Sequence, residues 1–255
     1  MRYAFYRKPN REQAELLEKK IVKAIDSRHV LDNENPQYVI VIGGDGTFLS
    51  AVHHYIDRTK EITFINFRCG NTAFYLNFDE SDISRINDLL DGKCNVINTL
   101  PLLKARVGDQ KFYALNEFTL GTFMKASGFE IYINDYFLQT TYGNGLLVCT
   151  PYGSSGYNKS LGGALLDPST QTFEITEMAS IESKKYKSLD SSLVLPKDSV
   201  VRINYIDTHP INITFDNKSA DLNPGDIITI KYSKKTIKVF SKEGSTFFDK
   251  LKMAF

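Results

Sequence analysis

The chain of 255 residues contains no tryptophan and only three cysteines. Cys69, Cys94 and Cys149 are too widely spaced for a zinc knuckle or a redox pair, so buried free thiols are the expectation. An excess of charge of either sign is also lacking, since 31 Lys and Arg against 30 Asp and Glu leave a net charge of +1. Without a basic field there is little to hold nucleic acid through counterion release, which argues against that class of partner. The densest cationic cluster, Lys184, Lys185 and Lys187, reads as a solvated loop. Long apolar runs are missing too. Nowhere do ~18 apolar residues follow one another, and the opening MRYAFYRKPNREQ has no stretch of signal-peptide length. A cytoplasmic protein with no membrane partner is expected.

What is present suffices for a full core, with 42% of residues apolar and 24% charged. Within residues 11–29, Leu17, Ile21, Ala24 and Ile25 share one helical face. YVIVI (38–42) is apolar on both faces, as a strand covered by helices should be, and ITFINF (62–67) reads as the next strand. Ser81 is the expected cap of a helix that carries Ile83, Ile86 and Leu89 and stops before Gly92. Strand and helix alternating in this way predict a Rossmann-like α/β domain over residues 1–100. After Pro101 strand-like runs follow one another, among them FEIYIND, YFLQTT and INITFDN, and IITIKYSKKTIKVF reads as a hairpin around Ser233–Lys235. Residues 101–240 are therefore expected to form an antiparallel β-sandwich-like domain. The weakly helical 241–255 is expected to pack back on the first domain.

Two stretches carry chemistry. VIVIGGDGTFLSAV (39–52) runs from an apolar strand through Gly43-Gly44-Asp45-Gly46-Thr47 into a helix. Backbone N–H groups and the helix dipole make such a turn a cradle for phosphate, yet it matches neither the Walker A spacing nor G-x-G-x-x-G. One reading has Asp45 capping the helix. The other has the loop holding phosphate while Asp45, ionised at neutral pH, accepts a proton from the attacking hydroxyl or helps to hold Mg²⁺. The second stretch, GNGLLVCTPYGSSGYNKSLGG (143–163), holds six of the sixteen glycines together with Thr150, Ser154, Ser155, Tyr157, Asn158 and Ser160. Those hydroxyls and amides suit a sugar or a base edge, and equally a loop with capping serines. Nucleophilic catalysis is disfavoured, because Gly153-Ser154-Ser155-Gly156 is one residue short of G-x-S-x-G and the four histidines sit in no pairing context.

Taken together, these segments resemble the NAD kinase family, whose members carry G-G-D-G-T, then an N-E pair, then T-P-x-G-[ST]-[ST]-A-Y leading to S-x-G-G. Here they stand as Gly43–Thr47, Asn116-Glu117 and Thr150–Gly163, in matching order and spacing, so that the resemblance covers nearly the whole chain. It implies transfer of a terminal phosphate from ATP or polyphosphate to the adenosine ribose 2′-hydroxyl of NAD, giving NADP. Asp45 would be the base, Gly44, Gly46 and Thr47 would shape the phosphate side, and Mg²⁺ would arrive with ATP. Asn116 and Glu117 match the pair around adenosine. Phe74, Thr150, Ser155, Tyr157 and Ser160 match positions lining the dinucleotide site, in a cleft between the two domains. No metal is held by the protein alone in this reading, and a homodimer or homotetramer is implied.

Several positions depart from the family pattern. Asn144 replaces an aspartate near the nicotinamide side, Gly156 occupies the usual alanine position, and GNTAF (70–74) stands for G-x-L-G-F. Tyr152 fills a place of small residues. The alternatives are a lipid or other small-alcohol kinase with the same loop, which would want an apolar acceptor segment in place of the polar TPYGSSGYNKSLGG, and a catalytically weak NAD(H)-binding sensor.

Overall fold

The computed structural model describes residues 1–70, 74–75, 77–93, 96–122, 124–184 and 186–254. The chain divides into two compact units, one of Met1–Leu100 with Lys235–Phe255 and one of Pro101–Lys234.

The first unit runs β1 (Arg2–Arg7), α1 (Glu12–Ala24), β2 (Val30–Leu31), β3 (Tyr38–Gly43), α2 (Asp45–His54), β4 (Thr63–Arg68) and α3 (Ile86–Leu90). Its strands lie in the order β2-β1-β3-β4, all parallel. Val39, Ile40, Val41 and Ile42 of β3 are all buried, which is why this strand carries no polar residue. Ile40 and Ile42 join Ile65 and Phe67 of β4 in a core closed by Leu17 and Ile21 of α1 and by Ile86 and Leu89 of α3. The segment before α3 departs from expectation. Asp79, not Ser81, is the cap: its carboxylate accepts the Ser81 N–H at 3.0 Å, and Asp82 returns a bond to the Asp79 N–H at 2.9 Å. A charged acceptor two residues earlier outcompetes the serine hydroxyl, and a 3₁₀ turn over Glu80–Arg85 precedes the short α3.

The second unit contains β5 (Val96–Val107) from Pro101 on, β6 (Gln110–Ala114), β7 (Glu117–Gly121), β8 (Ser127–Ile133), β9 (Tyr136–Gly143), β10 (Gly145–Cys149), β11 (Thr172–Met178), β12 (Leu193–Pro196), β13 (Val201–Tyr205), β14 (Ile211–Phe215) and β15 (Lys218–Leu222), together with the start of β16 (Ile227–Ser241). One antiparallel sheet has the order β12-β11-β10-β7-β14-β15. Against it stand β9, β8, β13 and the first half of β16, again antiparallel. Phe118, Leu120, Val148 and Phe173 of the first layer share a core with Phe129, Ile131, Ile203 and Ile228 of the second, which makes the unit a β-sandwich.

The expected hairpin at Ser233–Lys235 does not form, because β16 runs unbroken to Ser241. Residues 227–230 pair with β13, while Lys238 and Val239 pair in parallel with β4. Ser-Lys-Lys has no residue that favours positive φ, and Lys235 is held extended by the Ile56 carbonyl at 2.9 Å and the Asp57 carboxylate at 2.6 Å. The last element is α4 (Phe247–Ala254).

Candidate functional site

The turn after β3 is built by sterics. A Cβ on Gly43 would lie 2.4 Å from Thr47 Oγ1, so only glycine lets the strand pass straight into α2. Gly44 is the N-cap and offers no side-chain partner, which leaves the first N–H groups of α2 uncapped by any side chain. Asp45 does not cap its own helix. Its carboxylate turns to the 74–75 segment, where Oδ2 accepts the Phe74 N–H at 2.8 Å and Oδ1 the Tyr75 N–H at 2.9 Å. Asn66, fully buried on β4, steadies the same segment by donating to the Tyr75 carbonyl at 3.2 Å. Burial pushes the Asp45 carboxyl above its ordinary range, opposed by the two N–H bonds and by the Lys250 charge.

Beside this turn lies a cavity of about 600 Å³ whose lining includes Lys8, Asn10, Arg11, Gly44, Gly46 and Thr47. The first turns of α1 and α2 both contribute to its wall, so two helix N-termini and the exposed Lys8 and Arg11 face it together with one carboxylate, Glu12, and the balance favours an anion.

The second unit brings the Asn116-Glu117 turn and the hydroxyl-rich loop together. Asp216 accepts the Leu115 N–H at 2.9 Å and the Asn116 N–H at 2.7 Å. The Thr150 N–H donates to the Asn116 carbonyl at 2.8 Å, and its hydroxyl donates to the Leu115 carbonyl at 2.6 Å. A Cβ on Gly153 would stand 2.3 Å from the Asn116 oxygen, so the loop closes on the turn only because glycine is there. Among the described residues Glu117 Oε2 is buried without a hydrogen-bond partner, and burial, with repulsion from Asp216, raises this carboxyl to about 8.

Further along, Ser154 donates to the Pro151 carbonyl at 2.6 Å and accepts the Leu166 N–H at 3.0 Å, so it ties the loop rather than capping a regular helix. Asn158 is fully buried, donating to Glu174 at 2.8 Å and accepting from Thr176 at 2.8 Å. Between these anchors Gly156 breaks the helical turn with ψ at −126°. Ser155 is half-buried, while Gly156, Tyr157 and Ser160 are exposed. Asn144 is held by its backbone, donating to the Met178 carbonyl at 2.8 Å and accepting from the Thr122 N–H at 3.1 Å. Tyr152 is half-buried, and desolvation, with the Asp167 charge, pushes its phenol up to about 12. Of GNTAF, residues 71–73 lie outside the described residues, as do Cys94 and Lys185 of the sequence reading.

Sequence reasoning missed Asp216, Asn66 and Lys250. Asp216 follows a strand in a turn with φ at +53°, and only its contacts across a hundred residues reveal its use. Lys250 had a readable cue in Thr246-Phe247-Phe248-Asp249, a reciprocal helix cap.

A parallel α/β unit with an aspartate in its glycine turn, and a β-sandwich unit with a hydroxyl-rich loop, define a two-unit small-molecule kinase fold. Comparison with known proteins narrows it further. Residues 115–241 match the ATP-NAD kinase C-terminal domain. The chain is 31% identical to the NAD kinase of Latilactobacillus sakei subsp. sakei, over 100% of its own length and 97% of that protein. It is 37% identical to NAD kinase 1 of Listeria innocua, over 82% of the chain and 80% of the relative. In fold it is similar to yeast NADH kinase complexed with NADH, with a TM-score of 0.85 at 18% identity over 99% of this chain and 86% of that one. An NAD kinase from Archaeoglobus fulgidus in complex with ATP gives 0.77 at 19% identity over 99% of each chain. The chain belongs to the NAD kinase family.

Proposed function

We propose that the protein transfers the terminal phosphoryl group of MgATP to the 2′-hydroxyl of the adenosine ribose of NAD, giving NADP and ADP. The observation that carries this reading is the Asp45 carboxylate, withdrawn from water and fixed by two backbone N–H groups inside a strand–glycine–helix turn. Asp45 takes the proton of the 2′-hydroxyl as the O2′–P bond forms. The bond from the γ-phosphorus to the bridging oxygen breaks, and ADP leaves with the electron pair. Phosphoryl transfer asks mainly for positioning and charge neutralisation, and a base whose affinity for protons is raised by burial is better matched to neutral pH than an exposed aspartate.

In this reading the cavity beside Gly44, Gly46 and Thr47 takes the donor phosphates, with Lys8 and Arg11 offsetting their charge. Magnesium would enter with the nucleotide and would supply neutralisation of the phosphate charge. Asn116 and Glu117 receive adenosine, and the neutral Glu117 carboxyl offers both a donor and an acceptor there. The Thr150 hydroxyl is committed to backbone, so Thr150 shapes the turn that presents Asn116. Phe74, Asn144, Ser155, Gly156, Tyr157 and Ser160 complete the dinucleotide contacts. The family resemblance supports a cytoplasmic homodimer or homotetramer, which light scattering on the purified protein tests.

The deciding experiment measures NADP formation from NAD with MgATP and, separately, with polyphosphate. Asp45→Asn is expected to lower turnover at least ~10²-fold while leaving NAD binding within about a factor of three. Activity above a few per cent of wild type would remove Asp45 from the role of base. NAD binding by the wild-type chain with no NADP from either donor would make the protein a sensor.

A further inference from the structure

α4 starts firmly. The Thr246 N–H and hydroxyl both donate to the Asp249 carboxylate, at 2.9 and 2.7 Å, and the Asp249 N–H donates back to the Thr246 hydroxyl at 3.1 Å. This reciprocal cap fixes the first turn, and Phe247 and Lys250, three residues apart, then lie on one side of the helix. Phe247 meets the ring of Phe74 edge-on, with centroids 5.8 Å apart. The Lys250 ammonium stands 5.7 Å from the centroid of that same ring. Phe74 is the residue whose N–H holds Asp45 Oδ2. The cation is half-buried and, among the described residues, has no carboxylate in salt-bridge range. Burial lowers its proton affinity, and the Asp45 charge is the one influence opposing that.

Among the described residues, Lys250 is the charge set against the burial of Asp45. The 74–75 segment contributes backbone N–H groups, and the basic residues of α2, His53 and His54, lie in its last turn. Asp249, next to Lys250, is occupied by Thr246 and exposed. Lys8 stands 3.8 Å from where a Cβ on Gly46 would be and lines the cavity.

We propose that Lys250 is a positioning residue for phosphoryl transfer, carried by α4 against the Phe74–Asp45 contact to keep the Asp45 carboxylate ionised for the proton it receives. The inference rests on Asp45 being the base. A nearby positive charge favours the carboxylate over the carboxylic acid, and it does so more strongly out of water. Removing the charge leaves the burial of Asp45 opposed by the two N–H bonds alone, so the aspartate is protonated at higher pH. The acidic limb of the rate profile then moves upward.

The experiment records kcat/KM for NAD against pH in the full chain for wild type, Lys250→Met, Lys250→Gln, Lys250→Arg and Asp45→Asn. Both neutral variants are expected to lose at least ~5-fold at about pH 6 while staying within ~2-fold of wild type at about pH 8.5, with the arginine variant restoring the wild-type limb. A limb that stays in place in both neutral variants overturns the proposal. So does an equal loss at every pH in all three Lys250 variants, which would mark a structural role. If Asp45→Asn retains turnover, the assignment of the base fails instead, whatever the Lys250 variants do.

Discussion

Asp45 and Glu117 are carboxyl groups taken out of water on opposite terms. Asp45 has two N–H donors and a cation in reach, and these oppose the effect of burial. Glu117 has burial, the repulsion of Asp216 and a carboxyl oxygen without a partner among the described residues, so it is a neutral acid up to about pH 8. The consequence for stability has a definite sign. A carboxyl that titrates near 4.5 unfolded and near 8 folded contributes fully below the lower value and loses that contribution as pH rises to the upper one. The melting temperature of the apoprotein is therefore expected to fall from about pH 5 to about pH 8, and Glu117→Gln is expected to flatten that slope. Thermal unfolding of both proteins across this range checks it, and an unchanged slope in the variant would mean that Glu117 is ionised at neutral pH. Neither environment was readable from the residues alone. The motif marked Asp45 as chemically loaded, but its N–H donors lie about thirty residues away, and the partner of the Glu117 turn lies a hundred residues on.

At the level of elements, legibility followed the strength of the local signal. β3 and α1 announced themselves by apolar pattern, and the glycine turn by its spacing. β16 did not, because the polar Ser233–Lys235 resembles a loop until Asp57 and the Ile56 carbonyl are seen to hold Lys235. The hydroxyl-rich loop divides in a way that spacing cannot show. Ser154 and Asn158 point inward as anchors, while Tyr157 and Ser160 stay exposed. Asn158 is the central anchor, with Glu174, Thr176 and the Ala164 carbonyl all bonded to one amide. Asn158→Ala takes the amide donor from buried Glu174 Oε2 and from the Ala164 carbonyl, while Glu174 keeps the Ala164 N–H and Thr176 keeps the Ser192 hydroxyl, so a loss of about 1–3 kcal/mol is expected. Urea unfolding should show a lower midpoint with an unchanged slope. A loss confined to NAD affinity, with stability intact, would instead make Asn158 a ligand contact.

For the molecule as a whole, the central question is which stabilising interactions belong to the chain and which arrive with its substrates. Among the described residues no cluster of three or more His, Cys, Asp or Glu is arranged to hold a metal ion, and both Asp45 oxygens already accept backbone N–H groups. If magnesium is a passenger of the nucleotide, a chelator should leave the melting temperature of the apoprotein unchanged. It should also leave the stabilisation by NAD intact, because a ligand at a hundred times its Kd adds about 2.7 kcal/mol by mass action, whatever its chemistry. For a chain of this size that is a rise of roughly 5–10 °C, large enough to measure cleanly. The extra stabilisation by ATP and the turnover should both vanish with chelator and return with added magnesium. A chelator that lowers the melting temperature of the apoprotein would reveal a resident metal and overturn this picture. The balanced net charge of +1 helps the comparison, since it gives the polyanionic chelator little long-range attraction. The same titration separates the two units by function. A variant that keeps the NAD shift and loses the ATP shift is impaired on the phosphate side, where Gly44, Gly46 and Thr47 lie, and the reverse pattern points to the turn at Asn116 and Glu117.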